Sequence, residues 1–128
     1  MAVEHERRPR VLLVDDAIDN VELYREYLSR NGYDVATASD GEEAIARAVN
    51  ENFDIAIIDI GLPKLDGLSV IMTLRSYAKT RRMPLVTLSA MTGEKARAAA
   101  IDAGADMALE KPCTPEEVEL IVNTLIHR

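Results

Sequence analysis

Short apolar runs alternate with longer amphipathic segments five times along this chain. The apolar runs occupy residues 11–14 (VLLV), 33–38 (YDVATA), 55–58 (IAII), 85–88 (LVTL) and 107–109 (MAL). The first and third contain no polar residue, which is typical of strands buried on both faces of a sheet. Polar residues interrupt the second run and place it nearer an edge. The pattern therefore predicts five strands.

Each apolar run is followed by a segment with apolar residues at helical spacing. The first helix is predicted to end at residues 31–32 (NG), because glycine readily takes the left-handed conformation that ends a helix. Asp66 is a predicted cap of the third helix, and the fourth is predicted over about residues 92–103. Residues 40–43 (DGEE) and 114–117 (TPEE) have the capping-box pattern that begins helices.

Five strand–helix repeats predict an α/β fold, a doubly wound, flavodoxin-like (βα)5 sandwich around a parallel five-stranded sheet. We expect the strand order 2-1-3-4-5, although alternation alone also allows another doubly wound order. One domain is expected over residues 9–128, after a flexible N-terminal arm over residues 1–8. No output domain is expected, because the sequence ends just after the fifth helix.

Composition narrows the class of protein. Asp and Glu outnumber Lys and Arg by 22 to 15 in the 128 residues, and the net charge of -7 disfavours direct binding of nucleic acid. No segment is apolar for long enough to predict membrane insertion, and no secretory signal precedes the first strand. A single cysteine excludes an internal disulfide. A cytoplasmic protein is expected.

Two features of this composition have an ordinary interpretation. The basic residues Arg75, Lys79, Arg81 and Arg82 form a possible local patch, but a solvated helix end whose cations complement the helix dipole explains them better. Cys113 is interpreted as a small buried apolar residue without a redox role, because nothing near it in sequence marks a thiol of low pKa.

Polar residues follow four of the five predicted strands. Asp15 and Asp16 follow the first, Asp59 the third, Ser89 the fourth and Lys111 the fifth. In open parallel sheets the carboxyl ends of the strands form one edge, where ligands bind. Three carboxylates, a hydroxyl and an ammonium are therefore expected to converge at one site.

Each of these residues has a simpler explanation when taken alone. Asp15 or Asp16 can cap the first helix, Ser89 can be a turn residue and Lys111 a solvated loop cation. Taken together, clustered carboxylates raise one another's pKa unless a cation relieves their repulsion. Oxygen ligands alone suit Mg²⁺. The joint interpretation is a Mg²⁺ site beside which Lys111 and Ser89 hold a phosphoryl group, with Asp59 placed to accept it covalently.

Four segments carry a resemblance to a known family. They are residues 11–16 (VLLVDD), 59–67 (DIGLPKLDG), 88–90 (LSA) and 111–112 (KP). In this order and spacing the chain resembles the receiver domain of two-component response regulators, from Pro9 to its C-terminus.

The resemblance implies a role for each site residue. Asp59 is the implied phosphoacceptor, Asp16 a direct Mg²⁺ ligand, Asp15 a ligand through water, and the main-chain carbonyl of Gly61 a further ligand.

Ser89 and Lys111 are implied to bind phosphoryl oxygens. Ala90 is small enough to leave the phosphate accessible. The peptide bond between Lys111 and Pro112 is implied to be cis.

The resemblance also implies partners and one departure. The implied donor is a sensor histidine kinase or a histidine phosphotransfer protein, and the implied output is phosphorylation-dependent docking of a target to the face formed by helix 4, strand 5 and helix 5. The implied activity is limited to self-phosphorylation and self-dephosphorylation, so the chain is expected to be a signalling protein and not an enzyme.

Ala108 stands where the family often has a tyrosine or phenylalanine, which couples the phosphate site to the face formed by helix 4, strand 5 and helix 5.

Two other functions compete with this interpretation. A protein-binding module that has lost the chemistry is disfavoured because it has no need of the five polar residues. A metal-dependent phosphohydrolase is disfavoured because the sequence has no further acid motif and no cap insertion.

Overall fold

Five strands and five helices alternate along the chain in a computed structural model that describes residues 7–61, 66–91 and 93–127. The strands are β1 (Arg10–Val14), β2 (Asp34–Ala38), β3 (Ile55–Asp59), β4 (Leu85–Ser89) and β5 (Met107–Glu110). The helices are α1 (Ile18–Arg30), α2 (Gly41–Asn50), α3 (Gly67–Ser76), α4 (Glu94–Ala103) and α5 (Pro115–Ile126). The predicted alternation is confirmed. Most of the predicted arm over residues 1–8 lies outside the described residues, as does the predicted first residue of α4.

The sheet is parallel throughout and has the order β2-β1-β3-β4-β5. This confirms the expected order and excludes the other doubly wound order that the sequence pattern allowed. Strands β3, β4 and β5 each extend one residue beyond their predicted apolar run, because the ladder continues past it. Asp59 is paired with Leu88, and Ser89 with Glu110.

Two apolar layers cover the sheet, one on each face. Leu12 and Ile58 pack beneath α2, α3 and α4, while Leu13 and Ile57 pack beneath α1 and α5. Successive side chains of a strand point to opposite faces, so a strand covered on both sides has no solvent-facing position for a polar side chain. This is the physical reason that β1 is apolar over residues 11–14 and β3 over residues 55–58.

The caps follow the predictions with one correction. The Asp66 carboxylate accepts from the Ser69 N–H at 2.9 Å, and residues 114–117 form a complete capping box. Asp40 caps α2 by accepting from the Glu43 N–H at 2.8 Å. The predicted return bond is not the one observed, because the Glu43 carboxylate accepts from the Ser39 N–H, one residue earlier, at 2.8 Å.

Two of the basic residues at the end of α3 and just after it, Arg75 and Lys79, hold neighbouring elements together. Arg75 is not a solvated helix-end cation, since its guanidinium donates to the carbonyls of Gly104, Arg81 and Met83 and pairs with Asp106 at 3.0 Å. Lys79 donates to two carbonyls at the end of α2, Val49 and Glu51. Lys79 therefore complements the dipole of a neighbouring helix and not that of α3.

In the described ranges, no helix combines the length and the apolar character needed to span a membrane.

Candidate functional site

The carboxyl edge of the sheet brings the predicted polar residues together. Asp15, Asp16 and Asp59 each offer a carboxylate oxygen, and these oxygens lie within 4.8 Å of one another. The Lys111 Nζ lies 3.4 Å from Asp59 Oδ2 and 3.8 Å from Asp15 Oδ2. Strand order is the cause, because β1, β3, β4 and β5 are neighbours and end at the same edge.

Asp15 is the most buried member of this cluster, with 2% of its surface exposed. Its Oδ1 accepts from the Ala17 N–H at 2.9 Å, but Ala17 is itself the N-cap residue of α1, and no side chain caps this helix. The interpretation of Asp15 or Asp16 as a helix cap is therefore wrong. Burial, followed by the nearby Asp59 carboxylate, raises the pKa of Asp15, while the Ala17 N–H and Lys111 oppose that rise.

One oxygen of Asp15 has no hydrogen-bond partner among the described residues. Asp15 Oδ2 is buried and receives no hydrogen bond, and Lys111 at 3.8 Å is too distant to donate one. An unpaired buried carboxylate oxygen is costly unless a cation compensates it. One carboxylate oxygen from each of Asp15, Asp16 and Asp59 forms an oxygen-only donor set, which is the chemistry that Mg²⁺ prefers. The residues present therefore fit the implied metal.

Asp59 ends β3 and is held by the backbone around it. Its Oδ1 accepts from the Gly61 N–H at 3.2 Å, and the Ile60 carbonyl accepts from the Gly67 N–H at 3.0 Å. A Cβ on Gly67 would lie 2.6 Å from the Asp59 carbonyl oxygen and 2.8 Å from the Ile60 Cα. Only glycine allows this approach of α3 to the end of β3. Sequence analysis missed this role, although an Asp-Gly pair at a helix start was a signal for it.

Ser89 and Lys111 are linked through the backbone of neighbouring strands. The Lys111 N–H donates to the Ser89 carbonyl at 2.8 Å, and the Ser89 Oγ accepts from the Met91 N–H at 3.0 Å. The bond between Lys111 and Pro112 is cis, as the resemblance implied. Ala90 is exposed beside Ser89. Gly61 is exposed after β3, and residues 62–65, which follow it in the sequence, lie outside the described residues.

A cavity adjoins Ser89 at the position of the missing aromatic residue. It has a volume of about 130 Å³ and its lining includes Ala96, Ala100 and Ala108 as well as Ser89 and Met91. Small residues from both α4 and β5 leave this space open. This chain has Ala108 where the resemblance implies an aromatic ring, and the side chains that line the cavity do not fill the space that such a ring would occupy.

Cys113 follows the site and has no feature of a reactive thiol. It is half-buried against the layer beneath α1 and α5. Burial, and then the carboxylate of Glu117, raises the pKa of its thiol above the ordinary value. This agrees with its interpretation as a small apolar residue. Its carbonyl accepts from the Tyr24 hydroxyl at 2.7 Å, a contact that nothing in the sequence pattern indicated.

Comparison with protein families identifies a match over nearly the whole chain. The sequence model of the response regulator receiver domain family matches residues 11–123. The alkaline phosphatase synthesis transcriptional regulatory protein PhoP of Bacillus subtilis is 40% identical over 119 residues, which are 93% of this chain and 49% of the relative. The transcriptional regulatory protein PrrA of Mycobacterium tuberculosis is 40% identical over 94% of this chain and 51% of its own length. The chain thus spans about half the length of these relatives.

Solved structures are similar over their full length. The receiver domain of the Francisella response regulator 1452 superposes with a TM-score of 0.89 at 32% identity and covers 94% of this chain and 98% of its own. The chemotaxis response regulator CheY4 of Vibrio cholerae gives 0.88 at 29% identity, covering 93% and 99%. The receiver domain of the sensor histidine kinase PA1611 of Pseudomonas aeruginosa gives 0.86 at 29%, covering 95% and 100%, and that structure has a magnesium ion in its active-site cleft.

Proposed function

The chain belongs to the response regulator receiver domain family of two-component signalling proteins, and on that premise we propose that Asp59 is its phosphoacceptor. The donor is a histidine kinase or a histidine phosphotransfer protein in the cytoplasm. The observation that carries this proposal is the juxtaposition of Asp59 with Lys111 at 3.4 Å and with the carboxylates of Asp15 and Asp16.

The reaction is a displacement at phosphorus. An oxygen of the ionised Asp59 carboxylate bonds to the phosphorus while the bond to the donor's imidazole nitrogen breaks; that nitrogen leaves with the electron pair and is protonated by solvent. A carboxylate needs no general base for this step. Lys111 is placed to neutralise charge on the phosphoryl oxygens, and the Ser89 hydroxyl to donate to another.

Asp15, Asp16, Asp59 and the main-chain carbonyl of Gly61 are proposed to hold Mg²⁺. The metal supplies compensation for negative charge as the phosphoryl group enters an already acidic site. The buried Asp15 Oδ2 supports this assignment, because it receives no hydrogen bond and Lys111, at 3.8 Å, is too distant to donate one, so that a bound cation would compensate its burial.

The output is proposed to be docking of a downstream protein to the face formed by α4, β5 and α5. Ile101 on α4 and Leu120 on α5 are large apolar side chains that are 44% and 62% exposed. The cavity at Ala108 is lined by Ser89 and by residues of α4 and β5. We propose that a movement of the Ser89 hydroxyl is transmitted to this face through that loosely packed region. Amide hydrogen exchange is expected to change in α4 and β5 on phosphorylation and to stay constant in α2. Equal changes in both regions would count against this surface.

One assay tests the phosphoacceptor. The protein is incubated with acetyl phosphate, with and without Mg²⁺, and its intact mass is followed. One labile phosphoryl group is expected, dependent on Mg²⁺ and absent in Asp59→Asn. Lys111→Ala is expected to retain Mg²⁺ binding while phosphorylation slows. No mass gain in the wild-type protein would favour a docking module, and turnover of many equivalents would favour a phosphohydrolase.

A further inference from the structure

Tyr24 connects helix α1 to the segment that carries Lys111. Its ring is buried with 6% of its surface exposed, and its hydroxyl donates to the Cys113 carbonyl at 2.7 Å. Burial raises the pKa of the phenol, so the hydroxyl keeps the proton that it donates. The receiving carbonyl lies two residues after Lys111, whereas α1 directly follows the acidic pair Asp15 and Asp16.

The segment from Lys111 to Cys113 is held on both sides of the lysine side chain. On the strand side, the Lys111 N–H donates to the Ser89 carbonyl at 2.8 Å. On the helix side, the Cys113 carbonyl receives the Tyr24 hydroxyl. The first bond fixes Lys111 to β4, and the second fixes the turn after it to α1. The two bonds therefore relate the lysine backbone to the strands and helix that carry the carboxylates.

This restraint matters because a lysine side chain has a flexible four-carbon stem. The Lys111 ammonium lies 3.4 Å from Asp59 Oδ2, and its side chain is only 23% exposed. A shift of about 1 Å in the position of a catalytic charge is enough to slow a reaction by one to two orders of magnitude. Fixing the backbone on both sides of the lysine limits such shifts before the phosphoryl group arrives.

We propose that Tyr24 is a positioning residue for phosphoryl transfer: its hydroxyl, through the Cys113 carbonyl, keeps Lys111 aimed at Asp59. The inference rests on the proposed function of Asp59 and adds a residue to it. Tyr24 touches neither the phosphoryl group nor the metal. Its effect is confined to where the ammonium lies.

Tyr33 provides a matched control for the structural part of this role. Its hydroxyl donates to Glu119 Oε2 at 3.2 Å, and its ring is buried in the same apolar layer as that of Tyr24. Both Tyr24→Phe and Tyr33→Phe keep the ring and lose one hydrogen bond to the region around α5. Only the first of these bonds holds the segment after Lys111.

The first measurement is the rate of Asp59 phosphorylation by acetyl phosphate at saturating Mg²⁺ and saturating donor. Tyr24→Phe is expected to lower the maximal rate roughly 5- to 20-fold with little change in the half-saturating donor concentration. Mg²⁺ affinity, measured by titration calorimetry, is expected to stay within twofold of wild type. Tyr33→Phe is expected to leave the maximal rate within twofold.

The second measurement does not depend on phosphorylation. Lysines are labelled with a limiting amount of an amine-reactive ester, and each site is quantified by peptide mass spectrometry. In Tyr24→Phe the labelling of Lys111 is expected to increase several-fold relative to the exposed Lys95. The ratio is expected to be unchanged in Tyr33→Phe.

The outcomes separate this inference from the proposed function. Equal slowing by the two variants, a parallel loss of Mg²⁺ affinity, or unchanged labelling of Lys111 in Tyr24→Phe would overturn the positioning role. If the wild-type protein gains no phosphoryl group, the proposed function fails. The labelling ratio then still decides whether Tyr24 orients Lys111.

Discussion

Asp15→Asn removes one charge from the acidic cluster and keeps nearly the same shape. An asparagine Oδ1 can still accept from the Ala17 N–H, which bonds Asp15 Oδ1 at 2.9 Å. Its amide can also donate to the neighbouring Asp59 carboxylate. The substitution therefore isolates the cost of burying a negative charge beside two others.

The magnitude follows from the distances at the site. Two unit charges 4.8 Å apart, the largest separation in the cluster, repel by roughly 3.5 kcal/mol at an effective dielectric constant near 20. The contact with Lys111 at 3.8 Å is worth roughly 4.4 kcal/mol of attraction on the same scale. Removing the Asp15 charge relieves two repulsions and loses one attraction. Because solvent screens the exposed Asp16, we expect Asp15→Asn to stabilise the metal-free protein by about 1–3 kcal/mol.

Urea unfolding in EDTA at several pH values measures this effect. Since the folded state raises the pKa of Asp15 above the ordinary 3.8, the folded protein binds this proton more tightly than the unfolded chain does. The penalty is therefore absent below that pH, develops as the pH rises through the window up to the raised pKa, and is complete above it. The advantage of Asp15→Asn is expected at pH 7 and is expected to disappear as the pH falls towards the ordinary value.

Two comparisons make the result decisive. Asp102→Asn removes the same charge from an exposed position on α4 and is expected to change stability by less than about 0.5 kcal/mol. Saturating Mg²⁺ is expected to stabilise the wild-type protein far more than Asp15→Asn, because a ligand that binds only the folded state adds its binding free energy. If Asp15→Asn destabilises the metal-free protein at pH 7, or if its advantage grows on acidification, the acidic cluster is not under electrostatic strain.

Two further predictions concern the scaffold and are tested by the same urea titration. Arg75→Ala removes the bonds that join α3 to the segment before β4 and to the end of α4, and it is expected to cost roughly 2–4 kcal/mol. Arg25→Ala breaks only an exposed pair and is expected to cost less than about 1 kcal/mol. Equal losses would show that Arg75 is a surface cation. Thr114→Ala removes the cap of α5 and is expected to cost about 1 kcal/mol. Thr124→Ala, in the same helix, removes only a bond to the helix's own backbone and is expected to be near neutral, so a comparable loss would contradict the capping role.

Local pattern accounts for most of what sequence analysis predicted correctly. The apolar runs predicted strands because a strand covered on both faces has no solvent-facing position for a polar side chain. The Asp66 and Thr114 caps are formed by residues within three positions of one another. Where two local partners compete, the pattern was insufficient. The capping-box pattern predicted that the Glu43 carboxylate accepts from the Asp40 N–H, but it is the Ser39 N–H that donates to it.

The site was predictable only as a set of strand ends. Asp15, Asp59 and Lys111 each follow an apolar run, and parallel strands place their carboxyl ends at one edge. The distances among them, the unpaired Asp15 Oδ2 and the cavity beside Ala108 depend on how the strands and α4 pack. No spacing along the chain encodes them.

By itself, the sequence determined the order of elements, their buried faces and the kind of chemistry at the sheet edge, because these depend on side-chain types at short and regular intervals. Tertiary structure alone decided that Arg75 joins α3 to the start of β4, that Gly67 permits α3 to approach Asp59, and that Tyr24 reaches the carbonyl of Cys113. Partners that are 89 positions apart, as Tyr24 and Cys113 are, meet only after the sheet has assembled. Their contact is a property of packing between α1 and the turn after β5, which no local periodicity records.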